Sequence, residues 1–219
     1  MPLDQTHSPC RTIEAAFLLH GAHLPANHRA ALYAALCELP DLGTWLADAD
    51  EIAIAPIAGR AQPNGLLALT TESRLLLRLP ADELPRVLGL AGHPLMVGAH
   101  GLDIGQPLIQ LTRPATTLHS NLVVFDDCSK PETAASAPAA SAAAEAADAF
   151  ITEVDRQLAA LEIAAEPILG GAGNLHLPQR ALSGFALTIT GLAPDDSIHL
   201  QEAGLGDHRK LGCGVFLPG

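Results

Sequence analysis

Between Phe125 and Phe150 the chain reads DDCSKPETAASAPAASAAAEAADA, a stretch with no large apolar side chain to anchor a core. Small, polar and acidic residues in this mixture make an interdomain linker, so residues 126–148 are expected to separate a unit at 1–125 from one at 149–219. Alanine is also the best helix former, which gives the part after Pro138 a second reading as an extension of the following helix. With 219 residues, 48% of them apolar, the chain has material for one large or two small domains.

Periodicity fills in the two units. Thr12–Leu19 reads as a strand, and a helix opens at Pro25-Ala26-Asn27 with Asn27 as N-cap. It places Leu32, Leu36 and Leu39 at helical spacing and stops at Pro40. Glu51–Ile57, Leu66–Leu69 and Arg74–Leu79 read as strands, a short helix covers Glu83–Leu90, and strand-like pieces follow near Leu95–Val97, Leu108–Thr112 and Leu118–Phe125. Beyond the linker, Phe150, Val154, Leu158 and Leu161 mark one helix face. A loop with Gly170, Gly171 and Gly173, a strand at Gly184–Thr190, a helix starting near Asp195 and Asp196 and closed by Gly204, and a strand-like run from Cys213 to Leu217 complete the chain. Strands arrive in pairs, not singly between long helices. The expected class is therefore α+β, with tandem ferredoxin-like (RRM-like, βαββαβ) domains and a C-terminal glycine-rich loop.

Charge narrows the partners. Twelve Lys and Arg against 24 Asp and Glu leave a formal net charge of −12, which excludes a diffuse basic surface for nonspecific nucleic-acid binding. Against that background EAGLGDHRKLGCGVFLPG stands out, because Gly204, Gly206, Gly212 and Gly214 surround His208, Arg209 and Lys210. Glycines permit positive φ and close main-chain approach, so successive N–H groups can cradle an anion such as phosphate. Cys10, Cys37, Cys128 and Cys213 form no C-x-x-C pair, and His20 and His23 have no third ligand nearby, so neither zinc nor a cofactor is expected. No basic leader and no apolar run of roughly 20 residues is present, so the expectation is a cytoplasmic protein without a membrane partner.

GLGDHRKLGCGVF resembles the glycine-rich signature of the CRISPR-associated repeat-processing endoribonucleases of the RAMP superfamily. The similarity continues through LPANHRAALYAAL, SRLLLRLP, TLHSNLVVF and SGFALTITGLAPDDSIHLQEAGLG, which covers most of the chain outside the alanine-rich stretch. The resemblance implies the tandem ferredoxin-like fold and a metal-independent cut of precursor CRISPR RNA within its repeats. In that reaction the 2′-hydroxyl attacks the adjacent phosphate, leaving a cyclic or 3′ phosphate and a 5′-hydroxyl. Repeat RNA is the implied partner, with other subunits of an interference complex behind it. A noncatalytic RNA-binding subunit of such a complex is the alternative reading. Proteins of this kind often carry a histidine shortly after the first helix, where ELPDLGTWL has Gly43.

The chemistry needs a base, an acid and stabilisation of phosphorane charge. His28 is the first candidate, since the positive end of the helix dipole favours the neutral imidazole that a base requires. Its other reading is a helix-start residue bordering the core beside Leu32. Tyr33 follows Arg29 by four residues, so both lie on one helical face and can meet one phosphate or base. His20 and His23 stand in reserve. The expected RNA contacts are Arg29, Arg60, Arg180, Gly204, Gly206, His208, Arg209, Lys210, Gly212 and Gly214. With aromatics at 3%, recognition rests on shape and phosphates more than on stacking.

Overall fold

In the computed structural model residues 12–40, 42–127 and 139–219 are described. Strand β1 (Thr12–His20) turns Ile13, Ala15, Phe17 and Leu19 inward, the period-two pattern of a strand with one buried face. It runs through the middle of a five-stranded antiparallel sheet. The order is β3 (Ala53–Ile54), β6 (Arg74–Pro80), β1, β8 (His100–Leu111) and β7 (Pro94–Val97). Helices α1 (Arg29–Cys37), α2 (Gly43–Asp48) and α3 (Leu84–Leu88) cover it with Leu32, Leu36, Leu46 and Val87. Beside them lies a small sheet of order β2 (His23–Pro25), β5 (Leu66–Ala68) and β4 (Arg60–Ala61).

The second sheet is ordered β10 (Glu166–His176), β11 (Ala181–Thr190), β9 (Thr117–Val123) and β12 (Leu217–Pro218), with α4 (Ala139–Ala160) and α5 (Pro194–Ala203) in the same half. Phe125, Phe150 and Phe185 pack against one another as tilted rings, with successive centroids 4.9 Å apart. This arrangement is α+β with antiparallel sheets.

Several expectations change. The strand near 118–125, assigned by sequence to the first unit, hydrogen-bonds in the second sheet, with Thr117 opposite Thr190. The compositional break marks the approach to α4, whereas the chain changes sheets earlier, between β8 and β9. Of the expected linker, 128–138 lies outside the described residues, and from Ala139 the chain is helical, the second reading given to the alanines. Gly170, Gly171 and Gly173 lie within strand β10, not in a loop. The pairing shifts register between Leu169 and Ala172, a bulge that the small residues accommodate. Asn27 is not the cap: α1 begins at Arg29 after His28, with no side-chain cap. The strand foreseen from Cys213 is confined to Leu217–Pro218, although Cys213, Val215 and Phe216 are buried.

The two halves are joined through Arg78, 1% exposed on β6. Its guanidinium donates to Glu14 Oε1 at 2.6 Å, to the Gln201 carbonyl at 2.7 Å and to the Phe216 carbonyl at 3.0 Å. Gln110 Nε2 donates to the second Glu14 oxygen at 3.0 Å. A buried charge needs such a complete set of partners.

Candidate active site

The glycine-rich segment packs main chain on main chain. Gly214 has φ +63°, and a Cβ there would lie 1.8 Å from the Leu205 carbonyl oxygen; at Gly206, φ +74°, it would lie 2.5 Å from the Val124 oxygen. This close approach lets the Asp207 N–H donate to the Val124 carbonyl and the Gly214 N–H to the Leu122 carbonyl, each at 2.8 Å. The expected open ring of N–H groups is therefore corrected. Those of Gly204, Leu205, Gly206, Asp207 and 211–214 bond within the protein. The N–H groups of His208, Arg209 and Lys210 have no partner among the described residues.

The cations also sort differently. Arg209 is half-buried, donating to the Glu202 carbonyl at 2.6 Å, and its buried Nε has no partner. Burial first, then the neighbouring Arg78 charge, lowers its pKa to about 10. Arg29 was expected to share a ligand with Tyr33; it donates instead to the Gly212 carbonyl and clamps α1 to the loop, and burial lowers its pKa too. Lys210 keeps its ammonium at the surface, with one proton on the Ala47 carbonyl at 2.7 Å. Arg60 is exposed on the small sheet, and exposed Arg180 places Nη2 3.9 Å from Asp126 Oδ2.

His28, expected as the base, has both ring nitrogens engaged with the main chain. It is 3% exposed, Nδ1 donates to the Pro25 carbonyl at 3.1 Å, and Nε2 accepts the Ile57 N–H at 3.0 Å. Burial is the main cause of its lowered pKa. The ring is neutral as expected, but both nitrogens are engaged. His20 and His23 sit on β1 and β2 and do not line the cleft described next. A histidine at position 43 would not fit this backbone, since a Cβ on Gly43 would fall 1.9 Å from the Cys37 carbonyl oxygen.

Where α1 faces the glycine-rich segment, a cleft of about 390 Å³ is lined by Tyr33, Asp50, Gly206, His208 and Lys210, among others. The Tyr33 hydroxyl is raised to about 12, chiefly by burial and then by Cys37, so it stays a proton donor at neutral pH. The His208 Nε2 lies 2.8 Å from Asp126 Oδ1. Sequence reasoning missed Asp126 because it begins the stretch that reads as linker. Its signal is position: the first residue after the run ending at Phe125. A neighbouring cleft of about 850 Å³ carries Asp50, Glu51, Asp82, Glu83 and Glu202 around Arg209, a surface that repels phosphate.

Among the described residues no three His, Cys, Asp or Glu side chains are arranged to hold a metal ion, and no helix is long and apolar enough to cross a membrane. Cys37 and Cys213 are free thiols, while Cys10 and Cys128 lie outside the described residues.

The family model described as Cas6 Crispr matches residues 13–219. The chain belongs to the Cas6 family. Over 207 residues it is 28% identical to the CRISPR-associated endonuclease Cas6 of Myxococcus xanthus (strain DK1622), covering 94% of this chain and 81% of that one. Among solved structures, a Cas6-related gene product from Pyrococcus furiosus superposes with a TM-score of 0.58 at 14% identity, covering 94% of this chain and 97% of that one. Thermus thermophilus Cse3, bound to an RNA representing a pre-cleavage complex, gives 0.50 at 11% identity, covering 94% and 98%. At such identities the superpositions speak for the shared Cas6 fold alone.

Proposed function

We propose that this Cas6-family protein cuts precursor CRISPR RNA within its repeats by metal-independent attack of a 2′-hydroxyl on the adjacent phosphate. The observation that carries the reading is the cleft between α1 and the glycine-rich segment, which gathers Tyr33, His208 and Lys210 in a chain that is otherwise acidic. A phosphate there meets the Lys210 ammonium and the unpaired N–H groups at 208–210, which favour the extra negative charge of a phosphorane. Tyr33 supplies a hydroxyl donor. Exposed Arg60 and Arg180 extend the contact to flanking backbone. Glycines 204, 206, 212 and 214 serve the site by fixing the loop.

The same reading takes the architecture as two ferredoxin-like units, divided between β8 and β9 instead of at the alanine-rich stretch. It also takes the cytoplasm as the place of action, with the product held beside other interference-complex subunits. The test is to incubate the purified full chain with its repeat RNA in EDTA. A single defined cut leaving a 5′-hydroxyl is the expected result. Binding without any cut would replace the enzyme with a noncatalytic RNA-binding subunit.

A further inference from the structure

We propose that His208, held by Asp126, is the general base of this reaction. The inference rests on the RNA-cleaving reading above. A carboxylate at neutral pH only accepts hydrogen bonds, so the 2.8 Å contact to Asp126 Oδ1 puts the ring proton on Nε2. The lone pair of the neutral ring is then on Nδ1, which has no hydrogen-bond partner among the described residues. His28, at the start of α1, has no nitrogen to spare.

Asp126 is itself anchored. Its N–H donates to Asp207 Oδ2 at 2.9 Å, and Arg180 stands 3.9 Å from its second oxygen. The carboxylate thus fixes the ring's tautomer and orientation, the part an orienting acid plays behind a histidine base.

The backbone gives an independent observation. His208 has φ +64°, and among the described residues Glu162 is the only other non-glycine with positive φ, against eight glycines. That conformation costs a residue with a Cβ about 1–2 kcal/mol. Here it is held by two bonds to the His208 carbonyl, from the N–H groups of Leu211 at 2.8 Å and Cys213 at 3.2 Å. Glycine serves at 206 and 212 on either side, so an imidazole at 208 is kept against backbone preference. Strain of this kind clusters at functional sites.

The step balances without a cofactor. Nδ1 takes the proton of the 2′-hydroxyl, the 2′ oxygen forms a bond to phosphorus, the bond from phosphorus to the 5′ oxygen breaks, and that oxygen takes a proton from solvent. The imidazolium then returns its proton to solvent. Lys210, in the same cleft, faces the charge that develops on the phosphate.

The experiment measures single-turnover cleavage and equilibrium binding of repeat RNA by the wild-type chain, His208→Gly and His208→Asn. Both substitutions suit a positive φ, so folding is retained. The expected result is near-wild-type affinity, a cleavage rate lowered about 10²–10⁴-fold, and partial recovery on adding imidazole. Asp126→Asn is expected to slow cleavage and to be less responsive to imidazole, because it leaves the ring in place but misoriented. If wild type cuts and His208→Gly cuts equally fast, the inference fails while the enzyme reading stands. Loss of binding in both variants, with no imidazole rescue, assigns His208 a structural role and also overturns the inference. A wild-type chain that binds the repeat and never cuts it removes the enzyme reading and the inference together.

Discussion

The His28 Nε2 accepts the amide hydrogen of Ile57 across 3.0 Å, which ties the start of α1 to the segment leaving β3. With Nδ1 on the Pro25 carbonyl, the ring closes two buried backbone groups at once. His28→Ala is expected to destabilise the fold by about 1–3 kcal/mol for each group left unpaired, read by urea unfolding. The cleavage rate per folded molecule stays unchanged. Burial holds the folded pKa below the ordinary 6.5, so below that pH the unfolded chain binds the proton more readily. This stability contribution is full above pH 6.5 and falls as pH drops below it. Unfolding midpoints between neutral pH and pH 5 should therefore decline more steeply for wild type than for His28→Ala.

Arg78 and Glu14 test how the halves are joined. The pair is 1% and 9% exposed at its side chains, and Arg78 also holds two carbonyls of the second half. Removing one member leaves an uncompensated buried charge, so Arg78→Leu is expected to cost about 3–5 kcal/mol in chemical unfolding. A change within experimental error would show that the carbonyls of Gln201 and Phe216 find other donors.

Gly214 and Gly65 separate steric demand from backbone preference. Both have positive φ, but a Cβ at Gly214 meets the Leu205 carbonyl at 1.8 Å, whereas nothing lies within 4 Å at Gly65. Gly65→Ala should cost only the roughly 1–2 kcal/mol of a strained φ. Gly214→Ala should cost more and expose the bonded amides of 205–207 and 211–214 to hydrogen exchange.

Lys210 and Arg209 are adjacent in sequence and opposite in role. Lys210→Ala should weaken binding to cognate and variant repeats alike and lower the salt slope by about one, the change expected when one phosphate is no longer neutralised. Arg209→Ala should chiefly lower the melting temperature, because its guanidinium is taken up by the Glu202 carbonyl. Equal salt-slope effects of the two would show that both side chains meet RNA.

Much of the first half was legible because its strands and α1 bury one face with plain periodicity, as Ile13, Phe17, Leu32 and Leu36 do. His28 is neutral because it is buried, not because it starts a helix, and its engagement was hidden because Ile57 is 29 residues away. Sheet membership of Thr117–Val123 was hidden for a similar reason: an alternating strand does not announce its partners, and β11 and β12 both come later in the chain. The glycine-rich segment was recognised, but the placement of Arg209 depends on the carbonyl of Glu202, a main-chain acceptor that no side-chain pattern marks. Asp126 was read as linker because its partner, His208, lies 82 residues away.

Attack by a 2′-hydroxyl is tested by one substituted RNA. The cut is mapped on the repeat in EDTA, and the same RNA is then made with a single 2′-deoxy nucleotide immediately before the scissile phosphate. Binding should be unchanged and no product should form at that position, with the unmodified RNA cut normally alongside. Cleavage of the deoxy substrate at the same phosphate would contradict 2′-hydroxyl attack, because no nucleophile on the RNA would remain there to make the bond.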